Sequence, residues 1–284
     1  MRKIIERLLV FIIGVPAVFA LIFLLPHYNH LALNIVVTVF SAIGAVEFSV
    51  MLGKKGIYIS KIEAFILGSL APLSGLIMLN FYESGLIIGI IMLLGVLWAL
   101  LSLIFSKKED MDTVITRFAG CISVMVYPGF FMFWLVLMSI WDNSAAIFLF
   151  LIIVFFNDSA AWLFGSLLGK SNKGLIPASP NKSIAGFIGG MFGSVVVAVG
   201  AFYFFPNVFF TFSAVSLEIL IFLGFLTGLF ATLGDLAESA IKRSCDFKDS
   251  GNIMLGRGGI LDSIDSVAVA APVYYLLFTL FFSK

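Results

Sequence analysis

The chain has 284 residues, of which 61% are hydrophobic and 12% charged, and its formal net charge is +1. A mean hydropathy of +1.15 lies far outside the range of water-soluble domains and excludes that class. The chain must instead be solvated by lipid, where only helices and closed barrels satisfy the backbone.

Continuous apolar runs of about 20 residues follow one another, which is the length that a membrane-spanning helix needs. Barrel strands would be shorter and would alternate apolar with polar residues. We therefore predict an all-α integral membrane protein with about nine transmembrane helices. The predicted helices cover residues 8–25, 31–52, 62–79, 86–105, 119–140, 145–168, 185–205, 217–241 and 265–282. We expect the first run to be retained, because its apolar core is too long for a typical signal peptide.

The basic residues of the connecting segments indicate the orientation of these helices. The N-terminus and every second loop carry all of the Lys and Arg residues except Lys284, and the alternate loops carry none. By the positive-inside rule, the N-terminus is then cytoplasmic and the C-terminus outside. We expect a multi-pass protein of the cell (inner) membrane.

Two regions are predicted. Residues 1–145 form a scaffold of about five helices. Residues 146–284 form the catalytic region, since the polar residues gather there. The window 234–266 holds six of the 16 acidic residues together with basic residues and a glycine cluster. These are Asp235, Glu238, Asp246, Asp249, Asp262 and Asp265, then Lys242, Arg243, Lys248 and Arg257, then Gly256, Gly258 and Gly259.

The spacing of these residues indicates a Mg²⁺–phosphate site at the cytoplasmic surface. Asp235 shares a helix face with Glu238 and Ser239, as Asp262 does with Asp265, and the joining loop could bring Asp235 and Asp262 together. Mg²⁺ typically takes one or two carboxylates plus phosphate and water, and Lys and Arg neutralise the remaining phosphate charge. The glycines would let backbone N–H groups approach an anion. A plain salt bridge is the favoured interpretation for Glu238 and Lys242.

Four features lie upstream of this window. Asp158 is an ionisable residue inside a predicted helix and is a functional candidate for that reason. The stretch Ser179-Pro180-Asn181-Lys182-Ser183 precedes another helix, as either a phosphate-binding or an ordinary helix start. The glycines Gly186, Gly189, Gly190 and Gly193 have the spacing of close helix packing. Glu47 also lies inside an apolar run, and a structural role is favoured for it, as either a protonated group or one bonded to a neighbouring helix.

These residues resemble the signature of the phosphatidate cytidylyltransferase (CDP-diacylglycerol synthase) family, bacterial type. The signature positions are Ser239, Ile241, Lys242, Arg243, Lys248, Asp249, Gly251, Gly258, Gly259, Asp262 and Asp265, preceded by Gly234-Asp235-Leu236. Asn157-Asp158-Ser159-Ala160, Gly165, Gly169-Lys170 and the stretch from Ser179 to Ser183 resemble the upstream block of the family. Three positions depart from it, because Arg257, Leu255 and Ser263 stand where the family usually has His, Pro and Arg.

The resemblance implies a nucleotidyltransferase that moves a cytidylyl group from CTP to phosphatidate for phospholipid biosynthesis. It implies Mg²⁺, with Asp235 and Asp262 as metal ligands, and leaves a second cation open. The catalytic residues implied are Asp235, Asp262, Asp265, Lys242, Arg243 and Asp249. The substrate-binding residues implied are Asp158, Ser179, Lys182, Ser239, Lys248, Arg257, Gly258 and Gly259.

Two other functions stay open at this point. Another CTP- or CDP-dependent lipid enzyme, such as a polyprenol-type kinase, would use the same phosphate chemistry. A secondary transporter would use Glu47, Asp158 and Asp235 as an ion relay, although no internal repeat is visible. The expected partners are CTP, phosphatidate and the lipid bilayer, with no nucleic acid. A homo-oligomer is possible through the glycine face.

Overall fold

The computed structural model describes residues 12–81, 84–105, 108–174, 176–205, 216–254, 256 and 258–282, without the side chains of 108–110. Across these ranges the chain forms nine apolar helices. They are α1 (Ile12–Leu24), α2 (His27–Gly53), α3 (Lys61–Phe81), α4 (Leu86–Ile104), α5 (Met111–Trp141), α6 (Ser144–Leu168), α7 (Ile184–Phe204), α8 (Leu217–Ser244) and α9 (Leu261–Phe282). Eight of them are long and apolar enough to cross a membrane, and α1 is shorter.

The predicted all-α, multi-pass membrane fold is confirmed. Each predicted run corresponds to one helix, although the first run was predicted from residue 8 and residues 8–11 lie outside the described ranges. Within α5 the segment Met125–Phe130 is π-helical around Pro128, whose ring removes a backbone donor and locally rearranges the helix. The orientation of the termini stays a prediction.

Most large side chains of α4 are exposed in the isolated chain. Leu93, Leu94 and Trp98 are each more than half exposed, whereas Gly95 and Ala99 are buried. Such a helix would not be stable in water, and it is expected where lipid covers the apolar surface.

The chain divides into two compact units. Unit 1 comprises residues 1–140 and 244–264, and unit 2 comprises residues 141–243 and 265–284. The loop between α8 and α9 therefore belongs to the unit of the N-terminal helices. The predicted division at residue 145 into a scaffold and a catalytic region is a statement about function and stays a prediction.

In unit 1, α2, α3 and α5 approach each other at small residues. The Ser41 hydroxyl of α2 lies 2.7 Å from the carbonyl oxygens of Gly68 and Pro128. A Cβ atom on Gly68 would lie 2.2 Å from that of Ala45, so only glycine permits this helix spacing. Next to the loop before α3, Arg117 of α5 pairs with Glu63 of α3 at 3.0 Å.

In unit 2, glycines hold α7 against α6. A Cβ atom on Gly189 would lie 2.4 Å from Phe164, and one on Gly193 would lie 2.7 Å from Ala160. The predicted close packing of this glycine face is therefore confirmed, and the face is covered by α6 of the same chain. α9 is joined to α6 by the Tyr274 hydroxyl, which donates to the Ala146 carbonyl at 2.9 Å.

Candidate active site

The loop between α8 and α9 folds back on itself at its glycines. Met254 N–H donates to Gly258 O at 2.8 Å, and Gly258 N–H donates to Met254 O at 3.1 Å. Gly256 and Gly258 have φ values of +68° and +114°, a region that side chains other than glycine rarely adopt. These two positions of the turn therefore favour glycine.

Asp262, in the first turn of α9, is held by this loop. Its Oδ2 atom accepts hydrogen bonds from Ser250 N at 2.8 Å and Gly259 N at 2.7 Å, and lies 3.0 Å from Ser250 Oγ. The glycine loop was predicted to present N–H groups to an anion. In this structure the anion that Gly259 N–H contacts is the Asp262 carboxylate, and Gly258 N–H is used within the turn.

Glu47 of α2 is part of the same arrangement. Its Oε1 accepts from Ile260 N at 3.0 Å, and its Oε2 accepts from Leu261 N at 2.8 Å and lies 3.0 Å from Ser250 Oγ. A structural role was favoured for Glu47, as a protonated group or one bonded to a neighbouring helix, and these contacts agree with the second alternative. Glu47 and Ser250 were not among the predicted site residues, and the signal available was an isolated carboxylate in an apolar run. We call Glu47, Ser250, Gly259 and Asp262 the carboxylate–loop cluster.

The other predicted residues of the loop are more exposed. Arg243, Lys248 and Asp249 are exposed at the surface of their units. Asp246 is also exposed, has a positive φ and pairs with Lys55 at 3.2 Å. Arg257, which was predicted to bind substrate, lies outside the described residues.

In unit 2, Lys182 and Asp235 form an ion pair. Lys182 lies in the turn before α7, where its N–H donates to Ser179 O at 3.1 Å, and Ser183 caps α7 by accepting from Gly186 N at 3.1 Å. The two residues are 53 positions apart in the sequence, so this ion pair joins the turn before α7 to α8. Both side chains are about one third exposed or less, so the pair is only partly screened by solvent.

Further carboxylates surround this pair. Asp158 of α6 and Asp235 lie close enough to Asp265 for their charges to act on its carboxyl group, and so does Lys242. Asp265 is only 8% exposed. Lys242 also pairs with the buried Glu238, which is the predicted i,i+4 salt bridge, while Ser239 on the same helix is half-buried. We call Asp158, Lys182, Asp235, Lys242 and Asp265 the ion-pair cluster.

Three polar residues that were not predicted as site residues form a hydrogen-bond network next to Asp158. Asn157, next to Asp158, donates from Nδ2 to Thr232 Oγ1 at 3.1 Å and accepts at Oδ1 from Ser194 Oγ at 3.2 Å. The three side chains are buried and connect α6, α7 and α8. A buried, satisfied network of this kind fixes the relative positions of helices in an apolar environment.

The carboxylates of the two clusters could supply some, but not all, of the ligands of a Mg²⁺ ion. Among the described residues, no group of three His, Cys, Asp or Glu side chains is arranged to hold a metal ion unaided. Mg²⁺ does not require such a cage, because it is commonly bound by one or two carboxylates, with phosphate oxygens and waters completing the octahedron. Each cluster offers carboxylates beside hydrogen-bond donors or a lysine, as a shared phosphate–metal site would need.

The sequence profile of one protein family extends over nearly the whole chain. The cytidylyltransferase family matches residues 5–281, which include both clusters and the helices that carry them. The chain belongs to the cytidylyltransferase family, and the family predicted from the motifs is confirmed.

Individual relatives carry a more specific name. A phosphatidate cytidylyltransferase of Staphylococcus aureus (strain COL) is 42% identical over 129 residues, which are 44% of this chain and 46% of the relative. Those of Staphylococcus haemolyticus and Bacillus subtilis are 36% identical over 161 residues (56% and 58%) and 38% identical over 133 residues (46% and 46%). The chain thus spans about half the length of the curated relatives it matches.

Proposed function

We propose that this protein transfers a cytidylyl group from CTP to phosphatidate and so forms CDP-diacylglycerol and pyrophosphate for phospholipid biosynthesis. The observation that carries the proposal is the family match over residues 5–281, which takes in both polar clusters. The three relatives described above are phosphatidate cytidylyltransferases, which supports the lipid substrate.

The chemistry asks the protein to bring two polyanions together. An oxygen of the lipid phosphate attacks the α-phosphorus of CTP, the bond from that phosphorus to the bridging oxygen breaks, and pyrophosphate leaves with the electron pair. The nucleophile is already an anion, so the need is for positioning and for stabilisation of the charge that develops on the leaving group. Cationic side chains close to carboxylates suit this task.

In unit 2, we propose that the ion-pair cluster handles phosphate. Lys182 and Lys242 are lysines held by carboxylates, so their charges are already positioned before a phosphate arrives. Asp158, Ser179 and Ser239 are the other predicted contacts of this unit, and Asp265 remains a predicted catalytic carboxylate.

In unit 1, we propose that the loop contributes Asp262 to the chemistry. Its orientation is fixed by two backbone N–H groups. The remaining proposed contacts of this loop to CTP or the lipid phosphate are Lys248, Asp249, Arg257, Gly258 and Gly259. Arg243, in the last turn of α8 in unit 2, is a further proposed contact.

Mg²⁺ is the cofactor that we propose, and Asp235 and Asp262 stay the predicted metal ligands. When bound, the metal would neutralise phosphate charge and help pyrophosphate to leave. We also propose that the site faces the cytoplasm from the inner membrane, because the basic loops, which include the 242–257 segment, are then on the side where the positive-inside rule puts them.

CTP labelled at two different phosphorus atoms tests the reaction. Purified protein in detergent would be incubated with phosphatidate, Mg²⁺ and CTP labelled either at the α- or at the γ-phosphorus, with EDTA as the metal control. We expect α-label in the lipid phase, one pyrophosphate for each labelled lipid, and loss of both with EDTA. γ-label in the lipid, with CDP released, would instead identify a kinase. A folded protein that labels no lipid but takes up a solute in proteoliposomes would contradict the proposal in favour of a transporter.

A further inference from the structure

Glu47 connects an N-terminal helix to the loop that carries the family motif. It lies near the C-terminal end of α2 and is 7% exposed. Its hydrogen-bond partners Ser250 and Leu261 are 203 and 214 positions further along the chain. All of these residues belong to unit 1.

Both oxygens of the Glu47 carboxylate accept backbone N–H groups at the start of α9. Oε1 accepts from Ile260 N and Oε2 from Leu261 N, at 3.0 and 2.8 Å. Helix N-termini leave such donors without partners inside the helix, and a carboxylate there also interacts favourably with the helix dipole. Glu47 is thus a capping group for α9 supplied by another helix.

Ser250 links this cap to Asp262. Its hydroxyl oxygen lies 3.0 Å from Glu47 Oε2 and 3.0 Å from Asp262 Oδ2. Because a hydroxyl has one proton, it donates to one carboxylate at a time and couples the positions of the two. Asp262 N–H in turn donates to the same oxygen at 3.3 Å.

The adjacent glycines are required for this contact. A Cβ atom on Gly251 would lie 2.3 Å from Glu47 Oε1, and one on Gly259 would lie 2.3 Å from Oε2. The loop therefore packs its backbone directly against the Glu47 carboxylate, and any side chain at these two positions would displace it.

We propose that Glu47 is a positioning residue for Asp262, acting through Ser250 and the first turn of α9. The inference rests on the proposed function, in which Asp262 takes part in catalysis. Glu47 itself contacts neither the reacting groups nor the metal in this scheme. Its role is to keep the loop closed on α9 so that the Asp262 carboxylate holds one orientation.

Glu47→Gln is the informative variant because no orientation of the amide satisfies the site. Wherever the amide NH₂ is placed, it faces the backbone N–H of either Ile260 or Leu261, so that one donor loses its acceptor. An unsatisfied buried donor favours opening of the loop, and we expect amide exchange there to rise about fivefold or more. Glu63→Gln is the matched control, since Glu63 is a second carboxylate of unit 1, bound to Arg117 of α5.

The experiment combines hydrogen–deuterium exchange with steady-state kinetics on the full-length protein in nanodiscs. For Glu47→Gln we expect faster exchange confined to peptides covering 250–262, and kcat lowered about tenfold with the KM for CTP within about twofold, the pattern of lost positioning. For Glu63→Gln we expect loop exchange and kcat near wild type. If Glu47→Gln does not fold, Ser250→Ala, which cuts the link to Asp262 while leaving the α9 cap, is measured in its place with the same expectation.

Two results would overturn the inference. One is unchanged loop exchange in Glu47→Gln, or in Ser250→Ala if that variant is used. The other is an open loop together with wild-type kcat. Exchange is measured without substrate, so it tests Glu47 independently. Absence of cytidylyl transfer in the wild-type protein refutes the proposed function instead, and is thereby distinguished from a failure of the inference.

Discussion

Asp262 offers a way to separate charge from hydrogen bonding at a single residue. Three contacts of its carboxylate to the loop involve one oxygen, Oδ2, and the oxygen of an asparagine can accept the same hydrogen bonds. Asp262→Asn should therefore keep the loop closed while removing the charge that a metal ligand needs. We expect kcat to fall at least about 100-fold, the scale for losing one group that stabilises developing charge, with a thermal midpoint close to wild type.

Radiolabelled lipid formation and a melting curve in the same detergent check this prediction. Asp246→Asn is the control, because Asp246 is a carboxylate of the same loop whose pair with Lys55 is exposed. Turnover of Asp262→Asn close to that of Asp246→Asn would show that the Asp262 charge has no part in catalysis.

A second prediction at the residue scale concerns the ammonium group of Lys182. Its pair with Asp235 is partly buried, whereas the pair of Lys55 with Asp246 is exposed. Lys182→Met should reduce kcat/KM for CTP about 100-fold if the ammonium group binds a phosphate in the transition state. Lys55→Met should stay within about twofold, because exposed ion pairs contribute little. Initial rates at varied CTP concentration give kcat/KM for both variants. An equal loss of kcat/KM in Lys182→Met and Lys55→Met would show that Lys182 is not part of the proposed site.

At the scale of helices, Gly189 and Gly200 of α7 differ in how closely another side chain approaches them. A Cβ atom on Gly189 would meet Phe164 of α6 at 2.4 Å, whereas one on Gly200 would meet its nearest atom, of Phe204, at 3.9 Å. Gly200→Ala should be neutral or stabilise the helix by about 0.5–1 kcal/mol, through backbone entropy. Gly189→Ala should cost about 1–3 kcal/mol, because α6 has to move away.

Unfolding of both variants in mixed micelles, followed by circular dichroism, measures the difference. The two substitutions are chemically identical and lie on one helix, so helix propensity cancels between them. Equal stabilities would mean that α6 and α7 are not packed at Gly189. Because α6 covers this face within the chain, the possible homo-oligomer would have to use another surface.

Local patterns in the sequence were sufficient to predict the helices. They were insufficient to predict contacts between segments that are far apart in the chain. The nine helices follow from apolar length, and the packing of α7 follows from the spacing of its glycines. Glu47 was recognised as an intramembrane carboxylate, but its partners Ser250 and Leu261 are separated from it by most of the chain. No periodicity encodes such a contact, so its role as a cap for α9 appears only in the folded structure.

At the scale of the whole molecule, unit 1 is built from two separate segments of the chain. Residues 1–140 belong to unit 1, residues 141–243 to unit 2, residues 244–264 to unit 1 again, and residues from 265 onwards to unit 2. The last of these boundaries falls at the end of the first turn of α9. Asp262 thus belongs with α1 to α5, and Asp265, on the same helix, belongs with α6 to α8. The contacts that hold Asp262 therefore lie within unit 1, whereas the packing of Gly189 on α6 lies within unit 2.

The distribution of basic residues makes a prediction about the orientation of the whole protein. The segment between α2 and α3 contains Lys54 and Lys55, and the segment between α3 and α4 contains no basic residue. The positive-inside rule then puts the first segment in the cytoplasm and the second outside. Tyr58 and Ser84 are exposed residues of these two segments, and each accepts a cysteine without loss of a buried contact. The native thiols Cys121 and Cys245 are buried, which keeps background labelling low.

Vesicles of opposite orientation, treated with a membrane-impermeant maleimide, test this arrangement. In right-side-out vesicles we expect Ser84→Cys to react and Tyr58→Cys to react only after permeabilisation, and in inverted vesicles the reverse. Reaction of both from one side would mean that α3 does not cross the membrane. If Tyr58→Cys reacted in right-side-out vesicles and Ser84→Cys only in inverted ones, the basic loops would lie outside the cell. The loop between α8 and α9 would then lie away from cytoplasmic CTP and Mg²⁺, so the proposed reaction could not be carried out there.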